Sequence, residues 1–248
     1  MGWPEGARIG VVIQARMSST RLPGKALVDL AGRPLLERLW RRLTACRLPA
    51  TAVVATSITP ADEAIVALAR RLGAPLVRGP EQDVLARLLA ACDRHELAAF
   101  VRVTGDNPLT DPGGVDALIA AWRQKPCDYL HTVHRDGYPL GAGAELLTRD
   151  ALVSAATVLS TAAARERVTT WIRTSGRFEC RRLDAPAACR AADCFLTVDW
   201  PDDVEVLRRV YARFAGHDDV LLPDILGFLR TAPEVRALNA HRHAPLPE

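Results

Sequence analysis

Lysine is nearly absent from this chain. Only Lys25 and Lys125 occur among 32 basic residues, so arginine supplies positive charge almost everywhere else. A lysine kept inside a loop of Gly, Ser and Arg therefore asks for a reason, because a compact ammonium and a planar guanidinium are not interchangeable at a crowded phosphate. No apolar run approaches the ~20 residues that cross a bilayer, which excludes a membrane helix. The first eight residues hold no apolar stretch of the roughly 7 to 15 residues found in a secretory signal, and Gly6 stands where a myristoylation signal would place Ser or Thr. The expected location is the cytoplasm. Cys46, Cys92, Cys127, Cys180, Cys189 and Cys194 form no Cys-x-x-Cys pair, so they read as buried thiols rather than a metal or redox motif. A formal charge of +3 with no basic run gives no reason to expect nucleic acid as a partner. A Gly-x-Ser-x-Gly elbow is missing, and Gly141-Ala-Gly143 lacks a third Gly and precedes a strand instead of following one. The commonest hydrolase and dinucleotide-binding readings fall with them.

What is present is the alternation of β-branched runs with helix-period segments that builds βαβ units and a mainly parallel sheet. The expected strands are 9–13, 52–56, 75–77 and 99–103, and the helices between and after them 34–46, 60–72, 83–95 and 114–123. Pro34, and Thr59-Pro60 with Asp62 and Glu63, mark two helix starts. Beyond Pro126 the rhythm breaks into strands 128–133 and 145–148 and helices 150–159 and 162–173. We read 127–176 as a lid or dimerisation segment inserted in one domain that spans 1–248. Strands 178–183 and 194–198 and helices 201–214 and 223–238 follow, and the tail, 240–248, is expected to fray.

Three segments carry candidate chemistry. Gln14-Ala-Arg-Met-Ser-Ser-Thr-Arg-Leu-Pro-Gly-Lys25 follows the first strand, at the sheet edge where open α/β proteins bind ligands. It offers Arg16, Arg21 and Lys25 as cations, hydroxyls from Ser18, Ser19 and Thr20, and Gly24 for close backbone approach, a set suited to a triphosphate. It is not a Walker A loop, because Ser19 takes the first Gly position and Ala26 follows Lys25. Thr104-Gly-Asp-Asn-Pro-Leu109 puts Asp106 just beyond the fourth strand, where a carboxylate beside phosphates suits magnesium. Leu196-Thr-Val-Asp-Trp-Pro-Asp-Asp203 puts Asp199 at an expected strand end as a cap for the helix opened by Pro201. Asp106 and Asp199 together are placed to hold one or two magnesium ions, whereas Asp202 and Asp203 read as first-turn charges that favour the helix dipole. His131 and His134 are expected on opposite faces of a strand, with no metal between them. Arg165-Glu-Arg167 is either a solvated helix face or a group that reaches an anionic substrate.

With these segments in hand, the sequence resembles the cytidylyltransferases that make CMP-activated sugar acids, especially the branch similar to spore-coat polysaccharide biosynthesis cytidylyltransferases. The likeness runs from about Ile9 to Phe214 and also takes in Arg78-Gly79, Asp83-Val-Leu85 and Arg165-Glu-Arg-Val-Thr169. It implies a nucleotide-diphospho-sugar transferase fold, a homodimer, and Mg2+ on Asp106 and Asp199. It further implies a triphosphate held by Arg16 and Lys25, with Gln14, Ala15, Ser18, Ser19, Arg21, Thr104 and Gly105 around the nucleotide and Arg78 near the base. Tyr138, Glu145, Arg165 and Glu166 would then face the acceptor. One departure stands out. The branch often reads Tyr-Pro-x-Gly-Leu-Asp-Val-Glu where this chain has Tyr138-Pro-Leu-Gly-Ala-Gly-Ala-Glu145, so Gly143 replaces an acidic residue.

The activity this implies is transfer of CMP from CTP to a small hydroxylated, acidic acceptor, with release of pyrophosphate. A sugar-1-phosphate nucleotidyltransferase using another base would have much the same first loop. A glycosyltransferase of related fold is less well supported, since no Asp-x-Asp follows the fourth strand, and a non-catalytic nucleotide-binding protein would have only Gly143 in its favour.

Overall fold

Strand and helix periods alternate through the first half of the chain, and the chain folds accordingly. In the computed structural model, which describes residues 6–244, β1 (Ile9–Gln14), α1 (Leu35–Leu43), β2 (Ala52–Ser57), α2 (Glu63–Arg71), β3 (Leu76–Gly79), α3 (Val84–His95), β4 (Ala99–Thr104) and α4 (Pro112–Gln124) succeed one another. β5 (Tyr129–His131), β6 (Glu145–Thr148), α5 (Arg149–Ala156), α6 (Ala162–Glu166), α7 (Val168–Thr174) and β7 (Cys180–Arg182) follow. The described chain closes through α8 (Pro201–Arg213), α9 (Leu222–Thr231) and α10 (Pro233–Ala237). The seven strands form one sheet in the order β3-β2-β1-β4-β6-β5-β7. β3, β2, β1 and β4 run parallel, and β6 is antiparallel to both its neighbours. This is a mainly parallel α/β sheet, as the sequence predicts.

Period-2 alternation fixes which side chains pack on which face. Val11 and Ile13 of β1 join Val101 and Val103 of β4 in one apolar cluster, while Val12 and Phe100 enter the cluster on the opposite face. A third cluster lies beneath α8, α9 and α10. The strand order reverses direction between β1 and β4, since β2 and β3 extend one way and β4 the other. Such a reversal opens a crevice at the carboxyl ends of the two strands. The loops after β1 and β4 therefore share one hollow.

Several expectations need correction. Residues 194–198 are no strand, because they meet only an isolated bridge, Leu140 to Phe195. The expected helix 162–173 breaks at Arg167, whose φ of −101° and ψ of 28° separate α6 from α7. The helix expected over 223–238 stops at Ala232, because the Pro233 ring excludes a continuous ladder. The cysteines are not all buried: Cys180 is exposed and Cys46 half-buried. Burial nevertheless pushes the thiols of Cys46, Cys92 and Cys194 up to about 12, which makes them poor nucleophiles.

Asp203 is not a simple dipole charge, and the tail up to His243 is held by it. Its buried carboxylate accepts from the Asp199 and Trp200 N–H groups, both at 2.8 Å, from Asn239 Nδ2 at 2.8 Å, and pairs with His243 Nε2 at 2.7 Å. A short 3-10 turn, Ala240–Arg242, carries the chain to that contact, and 245–248 lie outside the described residues. Asp203→Ala should lower unfolding free energy by about 3 kcal/mol, because it strands buried donors. Urea titration of both proteins measures this, and a loss below about 1 kcal/mol would show that the network contributes little.

Candidate active site

The hollow at the strand reversal is floored by backbone in close approach. A Cβ on Gly105 would lie 2.7 Å from Ala15 Cβ and 3.0 Å from the Gln14 carbonyl, so only glycine lets the two loops touch, and the Gly105 N–H donates to that carbonyl at 2.7 Å. The first loop closes on itself where the Met17 carbonyl accepts from Ser19 and Gly24, each at 2.9 Å, with Gly24 at φ +77°. Asp62 clamps this loop from beneath. Expected as a helix-start charge, it is fully buried and accepts from the Met17 N–H at 2.7 Å and from the Ser57 N–H and Thr56 hydroxyl at 2.9 Å. Burial alone would raise its carboxyl, but the hydrogen bonds from Ser57, Met17 and Thr56 outweigh that and hold it below the ordinary range.

Lys25 is the meeting point of the site. Its Nζ donates to Asp106 Oδ2 at 2.6 Å, Asp199 Oδ1 at 2.7 Å and the Val198 carbonyl at 2.9 Å, and Arg21 reaches the same Asp199 oxygen at 2.7 Å. Asp199 is thus beside Asp106, although it ends no strand and caps no helix: Trp200 occupies the cap position of α8, and Asp203 supplies the carboxylate there. What delivers Asp199 is a single backbone bond, Val198 N–H to the Asp106 carbonyl at 2.9 Å.

The hollow is lined by Gln14, Ala15, Arg16, Ser19, Arg21, Lys25, Thr104, Gly105 and Asp106, together with Thr20 and Ala26. Two residues expected at the nucleotide lie elsewhere. Ser18 is exposed and bonds Glu81, while Arg78 pairs with Glu63 at 2.7 Å and donates to the Ser57 carbonyl at 3.0 Å. Arg16 points across the opening to Glu166 at 2.7 Å, linking the first loop to α6.

A second hollow of about 230 Å³ adjoins the first, on the other side of Thr104. Arg102, Asn107, Tyr129, His131, Gly143, Glu145, Thr169, Thr170 and Arg173 are among the residues that line it. Of the four residues expected to face the acceptor, only Glu145 is here, bonded to Arg102 and to the Tyr129 hydroxyl. Tyr138 is buried against Gly114 with its phenol pushed up by burial and by Asp111, Arg165 pairs with Asp83 at 2.7 Å, and Glu166 holds Arg16. His131 and His134 do not part to opposite faces, because β5 ends at His131 and the rings meet edge to face at 5.7 Å. Burial, with Arg173 and His134 nearby, holds the His131 imidazole down at about 4, so it is neutral at pH 7. At Gly143 a Cβ would lie 2.8 Å from the Thr132 hydroxyl and 3.0 Å from Val133. The Thr132 and Val133 side chains thus crowd the position from which an acidic side chain would start. Arg173 lies in no local motif, His131 enters the sequence reading only as a metal ligand, and Asn107 stands inside the second motif without being singled out.

Fold and site together define a nucleotidyltransferase: a strand-reversal crevice, a loop of cations and hydroxyls, and two convergent carboxylates. A family model described as Cytidylyltransferase matches residues 10–177. The spore coat polysaccharide biosynthesis protein SpsF of Bacillus subtilis (strain 168) is 30% identical over 229 residues, covering 90% of this chain and 94% of that protein. A 3-deoxy-manno-octulosonate cytidylyltransferase of Chlorobaculum tepidum is 39% identical over 112 residues, 44% of each chain. Among solved structures, a cytidylyltransferase from Leptospira borgpetersenii superposes with a TM-score of 0.85 at 24% identity, over 93% of this chain and 97% of its own. A CMP:2-keto-3-deoxy-manno-octonic acid synthetase complexed with CTP gives 0.62 at 18% identity, over 84% and 100%. The chain belongs to the cytidylyltransferase family.

Asp62 generates a test of the loop. A carboxyl depressed on folding adds stability that is complete above its unfolded value, about pH 4, and is lost as pH falls through the folded value. Asp62→Asn should therefore be less stable than wild type at pH 7 by about 1 to 3 kcal/mol, with the gap narrowing below about pH 4. Melting curves of both proteins from pH 3 to 8 decide it, and a gap independent of pH would reject the clamp.

Proposed function

We propose that this cytidylyltransferase carries the triphosphate of CTP in the first hollow and a small hydroxylated acid, a sugar acid or a relative of one, in the second. The observation that carries this reading is the convergence of Asp106 and Asp199 on one cation, with Arg16 and Arg21 at the same opening. Both carboxylate oxygens lie within 2.7 Å of the Lys25 nitrogen, so the donor set fits a hard divalent cation, which we take to be Mg2+. Such an ion, bound to Asp106 and Asp199, would neutralise charge that develops on the phosphate oxygens. Arg16, Arg21 and Lys25 orient the triphosphate and balance its charge, and the Asp62 clamp keeps the loop in place before substrate arrives. An acceptor hydroxyl then attacks the α-phosphorus in line, the bond to the β-phosphate oxygen breaks, and pyrophosphate leaves.

The curated relatives support the acceptor class, since one is a spore coat polysaccharide biosynthesis protein and others are 3-deoxy-manno-octulosonate cytidylyltransferases. A reaction in polysaccharide biosynthesis in the cytoplasm is the setting we infer. No helix among the described residues is long and apolar enough to cross a membrane. We also propose a homodimer formed through the 127–176 segment, on which Val153 and Val158 are exposed.

Pyrophosphate release with CTP and a panel of sugar acids should exceed that with ATP, GTP or UTP, and a clear purine preference would overturn the cytidine assignment. Asp106→Asn and Asp199→Asn should each lower turnover by about 100-fold or more, and the double variant should be little worse than either. Additive losses would separate the two carboxylates. Lys25→Ala leaves Asp106 and Asp199 facing each other with only Arg21 still on the Asp199 oxygen. Its melting temperature should rise with Mg2+ more than that of wild type, and an equal response would remove the ion from this pair.

A further inference from the structure

The second hollow contains one charge that the protein itself does not answer. Its lining carries two guanidinium groups, Arg102 and Arg173, and one carboxylate, Glu145. Glu145 accepts from Arg102 Nη1 and from the Tyr129 hydroxyl. Arg102 is committed in turn: its Nε donates to Gln14 Oε1 at 3.0 Å, and its Nη1 also reaches the Thr169 hydroxyl at 3.4 Å. These two groups neutralise each other. Arg173 differs from Arg102, because it has no hydrogen bond and no ion pair among the described residues. It is also exposed, which leaves its guanidinium open to a ligand in the hollow.

A free arginine on a convex surface is ordinary, since water solvates it from every side. On the wall of a concavity the low-dielectric surroundings concentrate its field, and an anion is drawn in. Nothing else in the lining opposes that charge: His131 is neutral at pH 7, and Gly143 brings no carboxylate. The helix adds hydrogen bonding to the charge. Thr169 and Thr170 stand four and three positions before Arg173 on α7, so all three share one helix face, and all three line the hollow. The Thr170 hydroxyl is without a partner among the described residues, its carbonyl alone being engaged, by Thr174.

The size of the charge decides which anion fits. One unopposed positive charge is matched by one negative charge, and a carboxylate supplies it on two coplanar oxygens that fit the two-pronged edge of a guanidinium. A phosphate monoester carries close to two negative charges at neutral pH, and the second would stand in the same hollow as Glu145 with no cation left to balance it.

We propose that Arg173 selects the acceptor by its carboxylate, donating two parallel hydrogen bonds to it from α7 while the attacking hydroxyl lies towards Thr104, the residue that both hollows share. This rests on the sugar-acid reading above and narrows it, because a sugar phosphate is disfavoured at the same place. The carboxylate takes no part in the displacement, so Arg173 binds it equally in the ground and transition states. Loss of the contact therefore falls on KM and not on kcat.

Steady-state pyrophosphate release at saturating CTP tests this in wild type, Arg173→Met and Arg173→Lys. The acceptors are 3-deoxy-manno-octulosonate and a panel of other sugar acids, their methyl esters, and sugar phosphates, with thermal melts and calorimetric titration of CTP alongside. Arg173→Met should raise KM about 10- to 150-fold for the acid that wild type uses, keep kcat within about threefold, and hold CTP affinity within about twofold. It should also erase the preference of wild type for free acid over methyl ester. Arg173→Lys keeps the charge without the planar fork, so its KM should fall between the two. It serves as well should the Met variant fail to fold. An unchanged KM in either folded variant would overturn the proposal, as would a loss carried by kcat or by CTP affinity, or a wild type that uses acid and ester equally well. The wild-type panel alone judges the underlying reading: transfer to none of the acids, or a preference for sugar phosphates, rejects the sugar-acid acceptor whatever the variants do.

Discussion

The site depends on three hydrogen bonds from one nitrogen. Lys25 gathers Asp106, Asp199 and the Val198 carbonyl, which arrive from chain segments 81 and more than 170 residues away. An ammonium has three donors around a single point, so it can serve three acceptors that converge on it. A guanidinium spreads five donors over a rigid plane and cannot collect the same three groups at one place. This gives a physical reason for a lysine here in a chain that uses arginine almost everywhere else. The rest of the local architecture serves the convergence: Gly105 lets the β4 loop lie on the β1 loop, Asp62 fixes the β1 loop from below, and the Val198 N–H registers the third segment against Asp106.

Much of this was legible in the sequence, and the boundary of legibility is physical. The first four strands and helices followed from period alone, because each is amphipathic or fully apolar in the way its layer requires. The polar loop after β1 could be placed at the carboxyl edge once its strand was known. Residues 194–198 misled because they are largely apolar and end in two β-branched residues like a strand, whereas their backbone meets no neighbouring strand and bonds only Leu140 and Asp106. Partner availability is a tertiary fact. The commitments of individual side chains were equally hidden: Asp62 looks like any acidic residue in a first turn, Arg78 like a free cation, and Asp203 like a surface charge. Each acquires its role from atoms far away in sequence, as does Glu166, which Arg16 reaches across 150 positions.

Thr104 is the hinge of the chemistry, since it lines both hollows at the end of β4. Its hydroxyl accepts from Asn107 Nδ2 at 2.8 Å, and Asn107, whose Oδ1 is enclosed and without a hydrogen-bond partner among the described residues, lines the second hollow. The carboxylate in that hollow, Glu145, is occupied by Arg102 and the Tyr129 hydroxyl, and Gly143 brings no acidic side chain to it. Arg173 at its lining and a neutral His131 leave it receptive to an anion that also carries hydroxyls. The first hollow is richer in cations, with Asp106 in its lining and Asp199 beside Asp106 on Lys25, and this asymmetry suits the triphosphate and the acidic acceptor proposed above. A triphosphate needs both a cation cradle and carboxylates that can share a metal, whereas an acidic acceptor needs only a place where negative charge is unopposed. In the reaction proposed above, setting both hollows against one residue would bring the α-phosphate and an attacking hydroxyl to the same short stretch of backbone. Proximity of that kind lets a site with no covalent chemistry of its own accelerate a displacement at phosphorus.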